Sequence, residues 1–348
     1  GYNQPPHPSF FVGANMAAPP MPNIRTDPIV PPPPPRPPEA VRWTGAVSAV
    51  WDDATANFAT ASGGAAVTFA PGDNVRIDDT STTPSIELAG ALAPGSVTVD
   101  SAFARALTGA GQLTGANTSL TKTGAGQLTL ASAHAYGGGT RLLEGVLAPG
   151  VAGALGGGTV TLRGGRLATG SLALPNPIRV EGSATISGGH AGGSHAIFAV
   201  SGDGALTLEA TNVFDLEGSL AGFAGRLILA GTGSFRFFGS AGSASAEFDL
   251  GTRSLSARSG SAFALGSLEG AAGAVLSGST GSGNNAAVTY TIGANGRDTL
   301  YAGAINNGNA ATSVVKTGAG RLVLAGANNH GGATTVSAGT LLVTGSLA

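Results

Sequence analysis

Asp215 and Glu217 stand two positions apart, a spacing that turns both carboxylates to one face of a β-strand. Two carboxylates facing one groove about 5–10 Å apart are what glycoside hydrolysis requires. The other acidic residues are scattered, so Asp215 and Glu217 are expected at solvated outward positions. A second candidate is Asp73-Asn74 with Asp78-Asp79, an oxygen-rich cluster of the kind a hard cation such as calcium takes. Asp and Asn are also ordinary turn formers, so turn chemistry competes with metal binding there. His190 and His195 lie in a Gly-Gly-His-Ala-Gly-Gly-Ser-His segment, but no third ligand follows at a recognisable spacing, and a surface loop is expected. The chain has no Cys, which removes thiol nucleophiles, thiolate metal sites and disulfides. No nucleophile elbow, phosphate-binding loop or zinc signature is present. The expectation is a protein without enzymatic activity and without a cofactor.

The elements that would carry these residues are short and polar-edged. Val97/Val99, Leu128/Leu130, Val160/Leu162, Ile178/Val180, Leu206/Leu208, Leu227/Leu229, Phe248/Leu250, Val288/Tyr290/Ile292, Leu322/Leu324 and Leu341/Val343 alternate with polar neighbours. That is the period of a strand with one face in and one out. Gly, Ser, Thr, Asn and Ala separate the strands, and the 58 glycines offer the positive-φ corners that a coiling chain needs. Coils of about 20–25 residues, stacked ~4.8 Å apart, give roughly 12–15 turns and a rod of about 60–70 Å. The fold expected is all-β: a right-handed parallel β-helix, or β-solenoid, with an extended arm in front.

That arm is residues 1–40, which hold 14 of the 20 prolines, including Pro31–Pro35. Proline enters neither helix nor sheet interiors, so polyproline-II structure is expected. A linker or stalk would account for the prolines. Phe10, Phe11 and Val12 favour an arm that docks on a neighbouring subunit, because a spacer has no use for them. Residues 41–96 read as a cap and lead-in, with Trp43, Trp51 and Phe58 closing one end of the core, and residues 97–348 as the β-helix proper.

Residues 119–147 and 313–341 align without a gap, 15 of 29 positions identical. Internal repetition means one structural unit reused. The copies share Lys122/Lys316, Gly124/Gly318, Gly126/Gly320, Leu128/Leu322, Leu130/Leu324, Gly138/Gly332, Thr140/Thr334 and Gly145/Gly339. This pattern resembles the passenger-associated β-strand repeat of bacterial autotransporters, roughly T-K-x-G-x-G-x-L-x-L-x-x-x-N-x-Y-x-G-x-T-x-V-x-x-G-x-L. The second copy has His330 at the Tyr position. The first has His134 at the Asn position and Leu142 at the Val position. The resemblance implies a secreted, extracellular β-helix at the bacterial cell surface and is nearly silent on activity. The membrane barrel that ends autotransporters is not in this sequence.

A formal charge of −2 gives no electrostatic case for nucleic acid or an anionic membrane, and no apolar run approaches the ~18 residues of a membrane helix. The chain begins at Gly1 rather than Met, from which removal of a secretion signal is expected. Leu341, Val343 and Leu347 end it in strand-like sequence without a charged or helical cap. Another copy is expected to cover that edge, the alternative being a solenoid cut part-way. The partner expected is therefore the protein itself, head to tail, in a filament, sheath or layer. An adhesin that binds a host or polysaccharide ligand is the rival reading. A carbohydrate-active β-helix is the third.

Overall fold

The computed structural model describes residues 36–189 and 199–347. Phe10, Phe11, Val12, His190 and His195 lie outside them. From Pro37 the chain forms one unit, an all-β parallel solenoid of about 13 turns, with no helix among the described residues. At ~4.8 Å per turn the solenoid is roughly 60 Å long.

Each turn passes over three faces. The first carries Asn74–Asp78, Ser96–Asp100, Ser119–Thr123, Thr140–Leu142, Val160–Leu162, Ile178–Val180 and Val200–Gly202. The second carries, among others, Ser85–Leu88, Arg105–Thr108, Gln127–Leu130, Val146–Pro149 and Arg166–Gly170. The third begins with Ala91–Leu92, Gln112–Gly115 and Ala135–Tyr136 and resumes with Val213–Leu216, Ser234–Phe237, Ser254–Ala257, Val275–Ser279 and Ala304–Asn306. Side chains stack in columns because the register is kept from turn to turn. One inward column of the first face runs Val75, Val97, Leu120, Thr140, Val160, Ile178 and Val200. Leu128, Leu130, Leu322 and Leu324 are all buried, as the alternation expects.

Turn length varies while the columns hold. Val160 pairs with Ile178, 18 residues on, and Leu265 pairs with Ile292, 27 residues on. Corners absorb the difference. Gly242–Asp249 and Ala262–Glu269 run straight through the corner between the first and second faces. Their first halves continue the first face, Leu265 pairing with Ile292. Their second halves continue the second, Phe248 pairing with Leu227 and Leu268. The two sheets fuse there.

Successive turns approach so closely at corners that several glycines cannot be replaced. Gly318 has φ +68°, and a Cβ there would overlap the Gly293 carbonyl oxygen. Gly318→Ala therefore combines a left-handed alanine with a clash. We expect it to lower stability by upwards of about 2 kcal/mol, read as a drop in the denaturant midpoint.

The amino-terminal end is closed. Trp43, Trp51, Phe58 and Phe69 are buried together, with Phe58 edge-on to Trp43 at 5.2 Å and to Trp51 at 5.5 Å. Phe58–Thr60 pairs antiparallel with Ala40–Trp43, and Ala66–Val67 pairs antiparallel with Phe58–Thr60. The parallel ladder stops at that hairpin. Parallel pairing itself is present from Ala40–Trp43 onward, within the segment expected to be cap and lead-in. At the other end Leu341 and Val343 pair with Leu322 and Leu324 but are only half-buried, and Leu347 is exposed.

Candidate functional site

The acidic cluster near residue 75 does not converge. Asp73 is buried, its carboxylate accepting from Glu39 N (2.9 Å) and Ala70 N (2.8 Å). Asn74 points outward and accepts from the Ser96 hydroxyl at 2.8 Å. Asp78 takes Arg76 Nε at 3.2 Å and the Thr80 hydroxyl at 2.6 Å. Burial works to raise its pKa, yet Thr80 and Arg76 outweigh that and hold it below the usual range. Asp79 accepts from the Ser101 hydroxyl and Ala102 N, which lower its pKa. Asp73 and Asp79 sit at opposite ends of the strand Asn74–Asp78, more than about 13 Å apart along an extended backbone. The described residues contain no group of three or more His, Asp or Glu able to hold a metal ion.

Asp215 departs from expectation. It is buried rather than solvated, and Arg236, its register partner on the next turn, grips it with two nitrogens at 2.6 and 2.7 Å. Its oxygens are engaged by that fork, not aimed at a groove. Other ion pairs also tie turn to turn: Arg226 reaches Asp249 (2.9 Å) and Glu269 (3.0 Å), and Arg163 reaches Glu181 (2.7 Å).

The repeats hold a feature that charge obscured. Lys122 stands in an inward column between Val99 and Leu142 and is fully buried. Its ammonium lies in the corner between the first and second faces. It donates to Thr123 O (2.6 Å), Gly124 O (2.6 Å) and, one turn on, Glu144 O (3.2 Å). Lys316 does the same with Thr317 O (2.6 Å), Gly318 O (2.9 Å) and Ala338 O (3.2 Å). Burial lowers both lysines' pKa values, opposed by Asp100 and Glu144 at Lys122 and by Asp298 at Lys316. Gly145 leaves the space open: a Cβ there would lie 2.7 Å from Lys122 Nζ. Two turns before the Glu144 corner, buried Arg105 fills the same corner through Ser81 O (2.7 Å), Thr83 O (2.8 Å) and Asp78 O (3.0 Å). A cation that satisfies three backbone acceptors from two turns is a staple, and the Lys-Thr-Gly-Ala-Gly run supplies both the cation and its cage.

The third face of each copy carries two further polar rungs, in or beside the strands Ala135–Tyr136 and Ala327–Asn328. Asn328 Oδ1 accepts from Ile305 N (3.2 Å), and His134 Nδ1 accepts from Leu113 N (3.3 Å). The Tyr136 hydroxyl meets Thr140 Oγ1 at 2.6 Å, and His330 Nε2 meets Thr334 Oγ1 at 2.8 Å.

On the outside, the corner between the second and third faces forms a shallow trough of about 480 Å³ across successive turns. Thr211, Asn212, Thr232, Ser234, Arg253 and Ser254 line it. No carboxylate lines it.

Residues 120–148 and 314–343 match the family model of the passenger-associated-transport-repeat. These are the two segments that the internal alignment found. No curated protein and no solved structure matches the chain. The match, together with the β-solenoid, agrees with a repeat protein of the autotransporter-passenger type. It suggests a secreted β-helix of the passenger type.

Proposed function

From a β-solenoid that carries two passenger-associated transport repeats, we propose that this chain is a structural rod displayed on the bacterial cell surface, extending by stacking end on end. The observation that supports this most is the register kept from turn to turn, which stacks buried side chains in continuous columns such as Val75, Val97, Leu120, Thr140, Val160, Ile178 and Val200. One edge of the ladder is covered by Trp43, Trp51, Phe58 and Phe69 under an antiparallel hairpin. At the other, Leu341 and Val343 carry the parallel ladder on from Leu322 and Leu324. Unpaired strand edges recruit further strands. Further turns and a second copy would both continue the ladder, and a head-to-tail contact between copies does not close, so it grows. In this reading Phe10, Phe11 and Val12 strap one copy to the next, each offering about 1.5–3 kcal/mol on full burial.

The test is electron microscopy and light scattering of the chain over a range of concentrations. Filaments that disappear on deleting residues 1–40, while the truncated chain stays folded, are expected. A chain that remains monomeric at high concentration, or a truncated one that polymerises equally well, removes the filament and leaves the rod. An adhesin is the second reading, favoured by the hydroxyl-lined trough beside Arg253. Binding of oligosaccharides that Arg253→Gln weakens would move the function there.

A further inference from the structure

Each repeat contains one histidine, and the two occupy different rungs. His134 stands where the second copy has Asn328, and His330 where the first has Tyr136. The contacts are nevertheless conserved between copies. The first rung accepts a backbone N–H from the turn before, Leu113 or Ile305. The second meets the threonine four residues on, Thr140 or Thr334. One rung in each copy is thus titratable, and the other copy shows that a non-titrating residue can make the same contact. We propose that these two histidines make the repeats acid-labile: protonation breaks the His134 rung and places a charge on the buried His330 ring, loosening the repeat turns while the turns between them stay closed.

The geometry sets the direction. His134 Nδ1 faces the N–H of Leu113, so it must carry a lone pair, and a protonated ring would set N–H against N–H. Its Nε2 is buried without a partner, so a positive ring would find nothing to share its charge. His330 is likewise buried, but its Nε2 can donate to Thr334 Oγ1 in either state and a backbone hydrogen bond with Ile305 favours the charged ring, so burial alone opposes protonation there.

Nothing ionic stands by to compensate. The ring nearest His134 is Tyr136, at 6.1 Å, a neutral phenol whose pKa burial raises. The strand before it, Gln112–Gly115, has no ionisable side chain. Neither does segment 150–156 after it, where Gly153 O accepts from His134 N. Around His330, Ala304–Asn306 before and Ser346–Leu347 after contain none either.

Burial pulls His134 down to about 4 and lowers His330 in the same direction, there against a backbone hydrogen bond with Ile305 that works to raise it. A base whose folded pKa lies below its unfolded value of about 6.5 favours folding fully above that value. That contribution is lost as pH falls from there toward the folded pKa. At pH 4.5 the His134 rung alone should make local opening on the order of 100-fold more favourable than at pH 7.

The experiment is hydrogen exchange of the full chain from pH 7 to 4.5, beside His134→Asn, His330→Tyr and the double variant. Each substitution installs the residue that the other copy uses. Relative to the double variant, the native chain should lose protection by up to that factor in peptides covering 112–140 and 304–336, with 205–250 unchanged. Each single variant should restore its own repeat only. Equal loss in native and double-variant chains, or none in the native chain, overturns the proposal. Should a variant misfold, imidazole titration by NMR in the native chain decides: both rings titrating near 6.5 would overturn it, and both staying neutral well below would support it.

Discussion

An aspartate in place of Leu324 should unravel the carboxy-terminal turns while the rest of the solenoid stays folded. Leu324 is fully buried in a column between Tyr301 and Val343. Leucine-to-alanine changes in cores cost about 2–5 kcal/mol, and a buried carboxylate without a partner adds to that. The loss should exceed about 4 kcal/mol, in the range reserved for named core lesions. A solenoid turn touches only its neighbours, so the damage spreads by unzipping from the nearest end. Limited proteolysis should therefore cut beyond about residue 299 and leave the preceding turns intact. Leu128→Asp, set well inside the rod, should instead lower expression of folded protein outright. Uniform resistance to protease in Leu324→Asp would contradict the inward column.

Lys122→Met should cost about 2–4 kcal/mol, although it replaces a buried charge with an apolar side chain of similar length. The saving in ammonium desolvation is set against three carbonyl oxygens, Thr123, Gly124 and Glu144, that lose their donor. Each buried polar group left without a partner costs about 1–3 kcal/mol. The readout is the denaturant midpoint together with exchange protection of the 123–126 and 143–146 corners. A Met variant as stable as the native chain would mean that the staple contributes nothing. Lys316→Met should behave alike at its own corner.

Most of the core was legible because burial here follows a rule of two. Leu128, Leu130, Leu322 and Leu324 needed only alternation, and Trp43, Trp51 and Phe58 only the size of their rings. Lys122 and Lys316 obeyed the same alternation, each two residues after an inward Leu120 or Val314. Charge argued for solvent and hid them. The signal was their parity, together with the two glycines that free the corner carbonyls. Asp215 was misjudged for a related reason. Its position along the strand does point away from the core column, but Arg236 a turn later was invisible until the register was known. The acidic residues near 75 looked like neighbours in the sequence, yet an extended strand keeps its ends apart. Pairings between turns depend on corner lengths, and the register steps they set run from 18 residues (Val160 to Ile178) to 29 (Val275 to Ala304) and, across the amino-terminal hairpin, 37 (Val50 to Glu87), in ways no local pattern announces.

The fused strands Gly242–Asp249 and Ala262–Glu269 lie between the two repeats, yet both copies meet the same faces. Lys122 and Lys316 each enter from the first face, and Leu128 and Leu322 each follow on the second. The interior thus reads the chain modulo one turn. A duplication or deletion is silent to the core when it spans a whole number of turns, wherever within a turn its breakpoints fall. Recombination at arbitrary sites can then lengthen or shorten such a rod without respecting any domain boundary, whereas a shift of a single residue within a strand would turn its whole inward column toward solvent.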